Sequence, residues 1–494
     1  MLAWTVYLSF AGVFLLILLP SSMRGAARAI ALLTALAGLV VAILGIVHFK
    51  PEAGMVTVAK RPWIVSLGAD YFLAADGISL TLVLLTGISA VAGVLFSWNI
   101  ERRVKEFFAF YLALIGGVYG VFLSFDLFLL FVFYELAIIP KYFLIAIWGS
   151  TNKEYGAMKL ALYSFIGSAM VLVGLVAAYV TAGAHTFNLL ELAKFPFPES
   201  FQMWAFPLVF VGFAVLAGLW PFHTWAPTGH VAAPTAASML LAGVVMKLGA
   251  YGALRVAITL FPLGLRAWQH SFALLALIGI IYGALVALVQ KDFKFVVGYS
   301  SVSHMGFVLL GLVTINEIGM TGAVLQMFSH GVIAGLLFGV VGRMIYDRTH
   351  TRDLPTLNGM NLSQKLPFAA LTFIVAAIAS MGLPGFSGFV AELSVLLGAW
   401  RAFPTYAVLA GIGVVVGVAY TLRALQLAFF AQAPVGKESG HEPCPPISIP
   451  EKLGAALLIA ATLLVGLYPR VLLDLIGPSF NAPLFDGLRK GAGL

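Results

Sequence analysis

Residues 129–149 read LLFVFYELAIIPKYFLIAIWG, and the rest of the chain is organised around them. The run is long enough to cross a bilayer, which takes a helix of about 20 mainly apolar residues. Glu135 and Lys141 nevertheless lie in its interior. An ionisable side chain at that depth is costly, so it lines a proton or ion path or faces a partner of opposite sign. Six residues of ideal helix turn the two roughly 120° apart with about 9 Å of rise, and this spacing predicts that each looks toward a different neighbouring helix. Pro140 between them removes one backbone hydrogen bond and predicts a kink. The plain alternative is a buried structural ion pair.

The composition agrees with a membrane span. Of 494 residues, 61% are hydrophobic and 10% charged, with a mean hydropathy of +1.03, values no soluble globular domain of this length shows. Cut at charged clusters, Pro and Gly, the chain reads as an all-α polytopic membrane protein with about fourteen transmembrane helices. Three stretches look like substantial loops outside the bilayer: His48–Asp76, His185–Gln202 and the Pro- and Gly-rich Ala433–Glu451. No soluble domain is evident, so the work is done within the lipid bilayer or through partner proteins.

A formal charge of +8 raises nucleic acid as a partner, but the basic residues are scattered singly among the loops, which argues for no nucleic acid. Their placement informs topology. With loops numbered from the N-terminus, the short odd loops hold Arg24, Arg28, Arg102, Arg103, Lys105, Lys153, Lys291, Lys294, Arg343, Lys437 and others. The short even loops hold chiefly Lys194, Arg255, Arg266 and Arg401. The positive-inside rule then puts both termini on the outer side. The first apolar segment has no small-residue cleavage site and reads as a retained helix. Cys444 is the only cysteine, which excludes disulfides, iron–sulfur clusters and Cys-based zinc sites within this chain.

An internal repeat is visible. Ala242–Gly249 followed by Arg255 lines up with Ala410–Gly417 followed by Arg423, and Gly218-Leu219-Trp220-Pro221-Phe222 lines up with Gly382-Leu383-Pro384-Gly385-Phe386. The copies are roughly 165 residues, or about five membrane helices, apart. An odd number of helices per unit inverts the second copy, and inverted repeats with a broken helix in each place a site near the midplane. The expected organisation is three N-terminal helices in 1–100, a first five-helix repeat in 104–260, a second in 268–432, and a loop with a C-terminal transmembrane helix in 433–494. AGLWPFHTWAPTGHVAAP (217–234) and SMGLPGFSGFVAE (380–392) are the two expected broken helices. Broken backbone at membrane depth is tolerated only where it is buried in protein or lines water.

The ionisable residues inside spans are Glu135, Lys141, Lys247, His304, His330 and Glu392. Carboxylate, amine and imidazole groups spread across a membrane interior suit proton relay, because burial and a neighbour's charge move their pKa values toward neutrality. Lys247 follows MLLAGVVM, too deep to snorkel easily, and reads as functional. A lone helical histidine such as His330 more often bonds a backbone carbonyl. Soluble-enzyme motifs are missing: there is no phosphate loop, Gly411, Gly413 and Gly417 lie in an apolar span with no strand before them, and His223 and His230 lack the spacing and carboxylate of a zinc site.

Together, FYELAIIPKYFLIAIWG, PFHTWAPTGHVAAPTAAS (221–238), KDFKFVVGYSSVSHMGF (291–307), LQMFSHG, HTRDL (350–354) and MGLPGFSGFVAE resemble the antiporter-like subunit M, or subunit 4, family of proton-pumping NADH:quinone oxidoreductase, respiratory complex I. The likeness covers roughly residues 70–430. It implies inverted five-helix repeats, no redox cofactor bound by this chain, and NADH, FMN, iron–sulfur clusters and quinone in partner subunits. It also implies subunits L and N as neighbours in the cell inner membrane. Carried over by motif, Glu135 is the family's helix-5 carboxylate, Lys247 its helix-8 lysine, His304 and His330 its two histidines, and Glu392 its glutamate at the second break. One position departs. The family's lysine shortly before the P-[LF]-H-x-W motif is Leu216 here, and Lys141 is a candidate replacement reaching the first break from another helix. Subunits of multisubunit sodium/proton antiporters and energy-converting hydrogenases share the fold, and they stay open as alternatives, as does a structural membrane anchor. The SVSHMGF and MGLPGFSGF forms, and an end at residue 494 without a long lateral helix, favour subunit M.

Overall fold

The computed structural model describes residues 1–430 and 444–492; Lys437 and most of the expected 433–451 loop lie outside the described residues. Helices α1 (Trp4–Leu18) and α2 (Arg24–Val47) lead into a hairpin of β1 (Val56–Ile64) and β2 (Ala69–Ala75). There follow α3 (Gly77–Phe96), α4 (Val104–Leu123), α5 (Leu127–Trp148), α6 (Lys153–Ala182), α7 (Glu199–Ala217) and α8 (Trp225–Ala232). Next come α9 (Thr235–Ile258), α10 (Pro262–Val289), α11 (Phe293–Leu312) and α12 (Glu317–Thr349). Then come α13 (Pro367–Ser380), α14 (Ser387–Ala402), α15 (Pro404–Phe430), α16 (Ile449–Leu467) and α17 (Arg470–Phe480), with a short helix at Asp486–Ala492 after them. Counting α7 with α8 as one, twelve of the described helices are long and apolar enough to cross a membrane, and α1 and α13 are shorter apolar helices.

Burial sorts these helices. The spanning windows of α9 and α12 are 100% enclosed by protein, whereas those of α2 and α15 are 28% enclosed. The first two lie wholly inside the protein, and the last two leave apolar faces that this chain does not cover. Both central helices contain π turns, at Leu241–Val245 and Ala253–Ile258 in α9 and at Gly339–Tyr346 in α12, a widening that recurs at functional sites. They meet through bare backbone, since a Cβ on Gly331 would lie 2.5 Å from Gly243 O.

Both broken helices are present. The backbone leaves α7 through Gly218 (φ +85°) and leaves α13 through Gly382 (φ +70°), a region glycine enters without steric penalty. At the first break, Trp225 Nε1 donates to the freed Val215 carbonyl at 2.8 Å.

Four details differ from the sequence reading. The 48–76 stretch holds the β-hairpin; Lys60, Arg61 and Pro62 interrupt its apolar alternation, which a strand at a sheet edge tolerates. Asp76, at its end, caps α3 as expected, accepting from Ser79 N at 2.9 Å. Arg255, counted in an even loop, lies inside α9, fully buried, paired with Asp76 and packed on Phe125. A charge marks a helix end only when water must solvate it, and here a carboxylate 179 residues away in sequence neutralises it. Lys294, counted in an odd loop, belongs to α11 and is buried. The C-terminal stretch, read as one transmembrane helix, is divided: its span stops at Leu467, just before Pro469, and α17 follows as a separate helix.

Candidate functional site

Four of the six expected ionisable residues form one continuous string. Lys247 Nζ on α9 lies 2.8 Å from His330 Nδ1 on α12, beside the Gly243–Gly331 contact. The same ammonium donates to Ala242 O in the π turn. Lysine offers only donors, so Nδ1 accepts and Nε2 holds the ring proton, a tautomer assigned from its partner. His330 is thus held by Lys247, not by the backbone carbonyl that a helical histidine ordinarily finds. Its ring stacks on His304 of α11 with centroids 5.5 Å apart. His304 Nδ1 is 3.0 Å from Glu392 Oε1 on α14, and His304 Nε2 is 3.2 Å from Ser380 Oγ at the end of α13. Gln326 Nε2 of α12 donates to the same Glu392 oxygen at 3.4 Å. A cavity of about 10 Å³, the size of about one water, is lined by His304, Gln326, Ser329, His330 and Glu392 among others. The other Glu392 oxygen, Oε2, lies 3.0 Å from where a Cβ on Gly382 would be, so glycine there both makes the break and leaves room for the carboxylate.

Glu135 and Lys141 stand apart from this string. Lys141 is 1% exposed and donates to Ser164 Oγ of α6 at 3.1 Å. The Glu135 carboxyl faces Ser168, one turn along the same helix, within electrostatic reach of Lys141. The expectation that the two look toward different helices is therefore wrong. Both side chains are long and flexible, so an ideal 120° separation of Cα directions does not separate their ends, and Pro140 lies between them in α5. Beside them α6 is held close to α7, where a Cβ on Gly167 would meet Gly212 O at 2.5 Å and Val215 Cβ at 3.3 Å. Leu216 is the buried residue after that contact. Lys141 bonds to α6, and no hydrogen bond among the described residues joins it or Glu135 directly to Lys247.

Sequence reasoning missed His230 and Gln326 as neighbours of the string. His230, buried on α8, stacks on Phe338 of α12 at 4.8 Å between centroids, and neither ring nitrogen has a hydrogen-bond partner. Its position in the first broken helix was the available signal. His223, at the start of that half-helix, is likewise buried and unpartnered, facing Tyr282. Among the described residues no group of three His, Cys, Asp or Glu side chains is placed to hold a metal ion. Outside the spans, Asp126 caps α5, accepting from Leu129 N at 2.9 Å and Asp70 N at 3.0 Å. Burial pushes its carboxyl up to about 6, against the pull of those backbone donors.

The string and both helix breaks fall within residues 124–417, and this segment matches the family model described as NADH:quinone oxidoreductase/Mrp antiporter, TM. The chain belongs to this family. It is 40% identical over 474 residues to NADH-quinone oxidoreductase subunit M of Rhodobacter capsulatus, covering 93% of this chain and 90% of that one. It is similar to a chain of respiratory complex I from Thermus thermophilus with bound NADH, at 29% identity and TM-score 0.87 over 97% of this chain and 99% of the other. A chain of the Mrp complex from Dietzia sp. DQ12-45-1b shares the fold, with TM-score 0.86 at 20% identity over 99% of both chains. Within the antiporter-like family, then, this chain is a multi-pass membrane protein whose buried Lys, His and Glu groups converge on its two central helices.

Proposed function

We propose that this chain is the antiporter-like subunit M of a proton-translocating NADH:quinone oxidoreductase, moving protons through Lys247, His330, His304 and Glu392 while electrons flow in other subunits. The carrying observation is the unbroken string: ammonium to imidazole at 2.8 Å, imidazole stacked on imidazole at 5.5 Å, imidazole to carboxylate at 3.0 Å. Such links let a proton advance by short transfers, with one water able to bridge the two rings. Glu135 and Lys141 serve the first half, Lys141 supplying the positive charge that Leu216 does not. The units 104–260 and 268–432 act as the two inverted halves. The subunit is non-redox, with NADH, FMN, iron–sulfur clusters and quinone held by its partners, and subunits L and N are its neighbours. It sits in the cell inner membrane with both termini on the outer side, a reading that the excess of basic residues in the short odd loops supports.

Purification of the native assembly should bring down flavin- and iron–sulfur-bearing subunits with this chain. Co-elution with exchanger subunits alone, or with a hydrogenase, overturns the assignment. In liposomes, complexes carrying Glu135→Gln or Lys247→Ala should assemble and oxidise NADH yet pump fewer protons per electron. Wild-type stoichiometry in either variant contradicts that residue's role.

A further inference from the structure

A cavity of about 300 Å³ lies where α12 begins, between that helix, α17 and the short helix Asp486–Ala492. Its walls are apolar and buried: Ile315, Met320, Phe480, Phe485 and Leu488. Glu317 and Asn481 stand exposed at its rim, so the cavity opens to the surroundings. Two further polar residues of the wall are already committed. Asn316 caps α12 through Gly319 N and donates to Gly398 O of α14 at 2.9 Å. Arg489 pairs with Asp486 and donates to Phe480 O at 3.0 Å and Ala482 O at 3.2 Å. The Glu317 carboxylate, by contrast, enters no hydrogen bond or ion pair among the described residues. A Cβ on Gly477 of α17 would lie 3.7 Å from its Oε1, so the facing helix leaves room beside it.

A glutamate in the first turn of a helix is favoured by the helix dipole, and that alone accounts for Glu317. It does not account for an apolar cavity beside the carboxylate, of a size that small ligands fill. The depth of the cavity narrows the choice of ligand. Exposed Trp268 lies next to Gln269, which donates to Val313 O two residues before Ile315. Exposed Trp400 lies two residues past Gly398, the residue bonded to Asn316. Outward-facing tryptophans mark the level of lipid headgroups, and these two stand on either side of the start of α12.

The geometry points to a lipid site: this cavity takes one phospholipid whose headgroup carries a primary ammonium, as in phosphatidylethanolamine. The ammonium donates to the Glu317 carboxylate, the Asn481 amide donates to the phosphate, and one acyl chain starts along Met320, Phe480, Phe485 and Leu488. An anionic headgroup would meet an unpaired charge of its own sign, because the cation in the wall, Arg489, is already neutralised by Asp486. A choline headgroup has the charge but no N–H to donate. The bound lipid joins the start of α12 to α17, and by binding the folded complex it stabilises it.

The test uses the native complex, washed in detergent and then incubated with mixed micelles holding equal parts of phosphatidylethanolamine, phosphatidylcholine and phosphatidylglycerol. Lipid retained per complex after gel filtration is counted by mass spectrometry. The parent should retain one more phosphatidylethanolamine than the Glu317→Gln complex, with the other two lipids unchanged. Leu488→Trp, which fills the cavity from the short helix, should lose the same molecule. Added phosphatidylethanolamine should also raise the thermal midpoint of the parent more than that of Glu317→Gln. Equal retention in the parent and both variants overturns the proposal, and it is the result expected if a partner subunit fills the cavity instead. An equal loss of phosphatidylcholine or phosphatidylglycerol overturns the headgroup choice and the proposal with it. Should neither variant assemble, phosphatidylethanolamine with a photoreactive acyl chain decides in the parent complex. Cross-links to Met320, Phe480 or Leu488 support the site, and cross-links only elsewhere overturn it. Proton yield plays no part in these readouts, so failure of the proton-conducting reading would leave them unchanged.

Discussion

At the second break, between α13 and α14, Glu392, His304, Gln326 and Ser380 are hydrogen-bonded to one another and tied through His330 to Lys247. At the first break, between α7 and α8, Leu216 is apolar and buried, and His223 and His230 have no hydrogen-bond partner. The backbone device is the same in both places, a glycine at positive φ, Gly218 in one and Gly382 in the other. Equal backbone therefore carries unequal chemistry. An ionisable pair stands instead on α5, where Lys141 and Glu135 turn toward two serines of α6. A helix break supplies space and freed backbone groups, and the side chains that fill it can arrive on any helix close enough to reach.

Four changes would break or sharpen this contrast, beginning with the largest expected effect. His330→Leu removes the link between Lys247 and His304 without adding a charge, so the assembled complex should lose this subunit's protons while electron transfer to an artificial acceptor continues. An undiminished proton yield would mean that the second half is not the conductor. Lys141→Met should lower the yield less completely, and adding Leu216→Lys should restore it by returning a cation to the broken helix. A double variant no better than Lys141→Met defeats the idea that one lysine replaces the other. Gly331→Ala places a methyl 2.5 Å from Gly243 O, and overpacking of this kind typically costs about 1–3 kcal/mol. Its complex should inactivate at lower temperature and pump less well, whereas Gly411→Ala, with open space around it, should change neither.

The smallest effect concerns Asp126, which caps α5 from outside the span. Its folded pKa of about 6 lies above the ordinary 3.8, so ionising it costs stability. Well below pH 3.8 the carboxyl is protonated in both folded and unfolded states; between 3.8 and about 6 the unfolded state gives up the proton first, and stability falls as pH rises. Asp126→Asn still caps but does not ionise. It should flatten the fall in thermal midpoint of the detergent-solubilised complex across that window, and an unchanged slope would count against a buried carboxylate there.

The sequence was most legible where one residue's chemistry conflicts with its surroundings. Lys247 in the middle of an apolar run, and Pro and Gly inside the 217–234 and 380–392 stretches, announced a deeply buried cation and broken helices because nothing local could explain them. Asp76 announced a cap because that role needs only its own neighbours in the chain. What stayed hidden depended on distant partners. Arg255 passes for a loop residue until Asp76 is seen beside it. Lys294 looks like the edge of a helix until Ala233 O is located beside it. Glu135 and Lys141 diverge on a helical projection, which tracks Cα directions and leaves out the reach of long side chains. His230 has the composition of many structural histidines, and only its lack of any partner in three dimensions sets it apart.

The proton yield per electron of the intact complex carrying Glu392→Gln, in sealed liposomes, tests the central claim most directly. Glutamine keeps the shape of the side chain and a carbonyl oxygen for His304, but it cannot take up a proton. The account predicts a complex that assembles, transfers electrons to an artificial acceptor at the normal rate and moves fewer protons for each electron. A normal proton yield in that variant would contradict it.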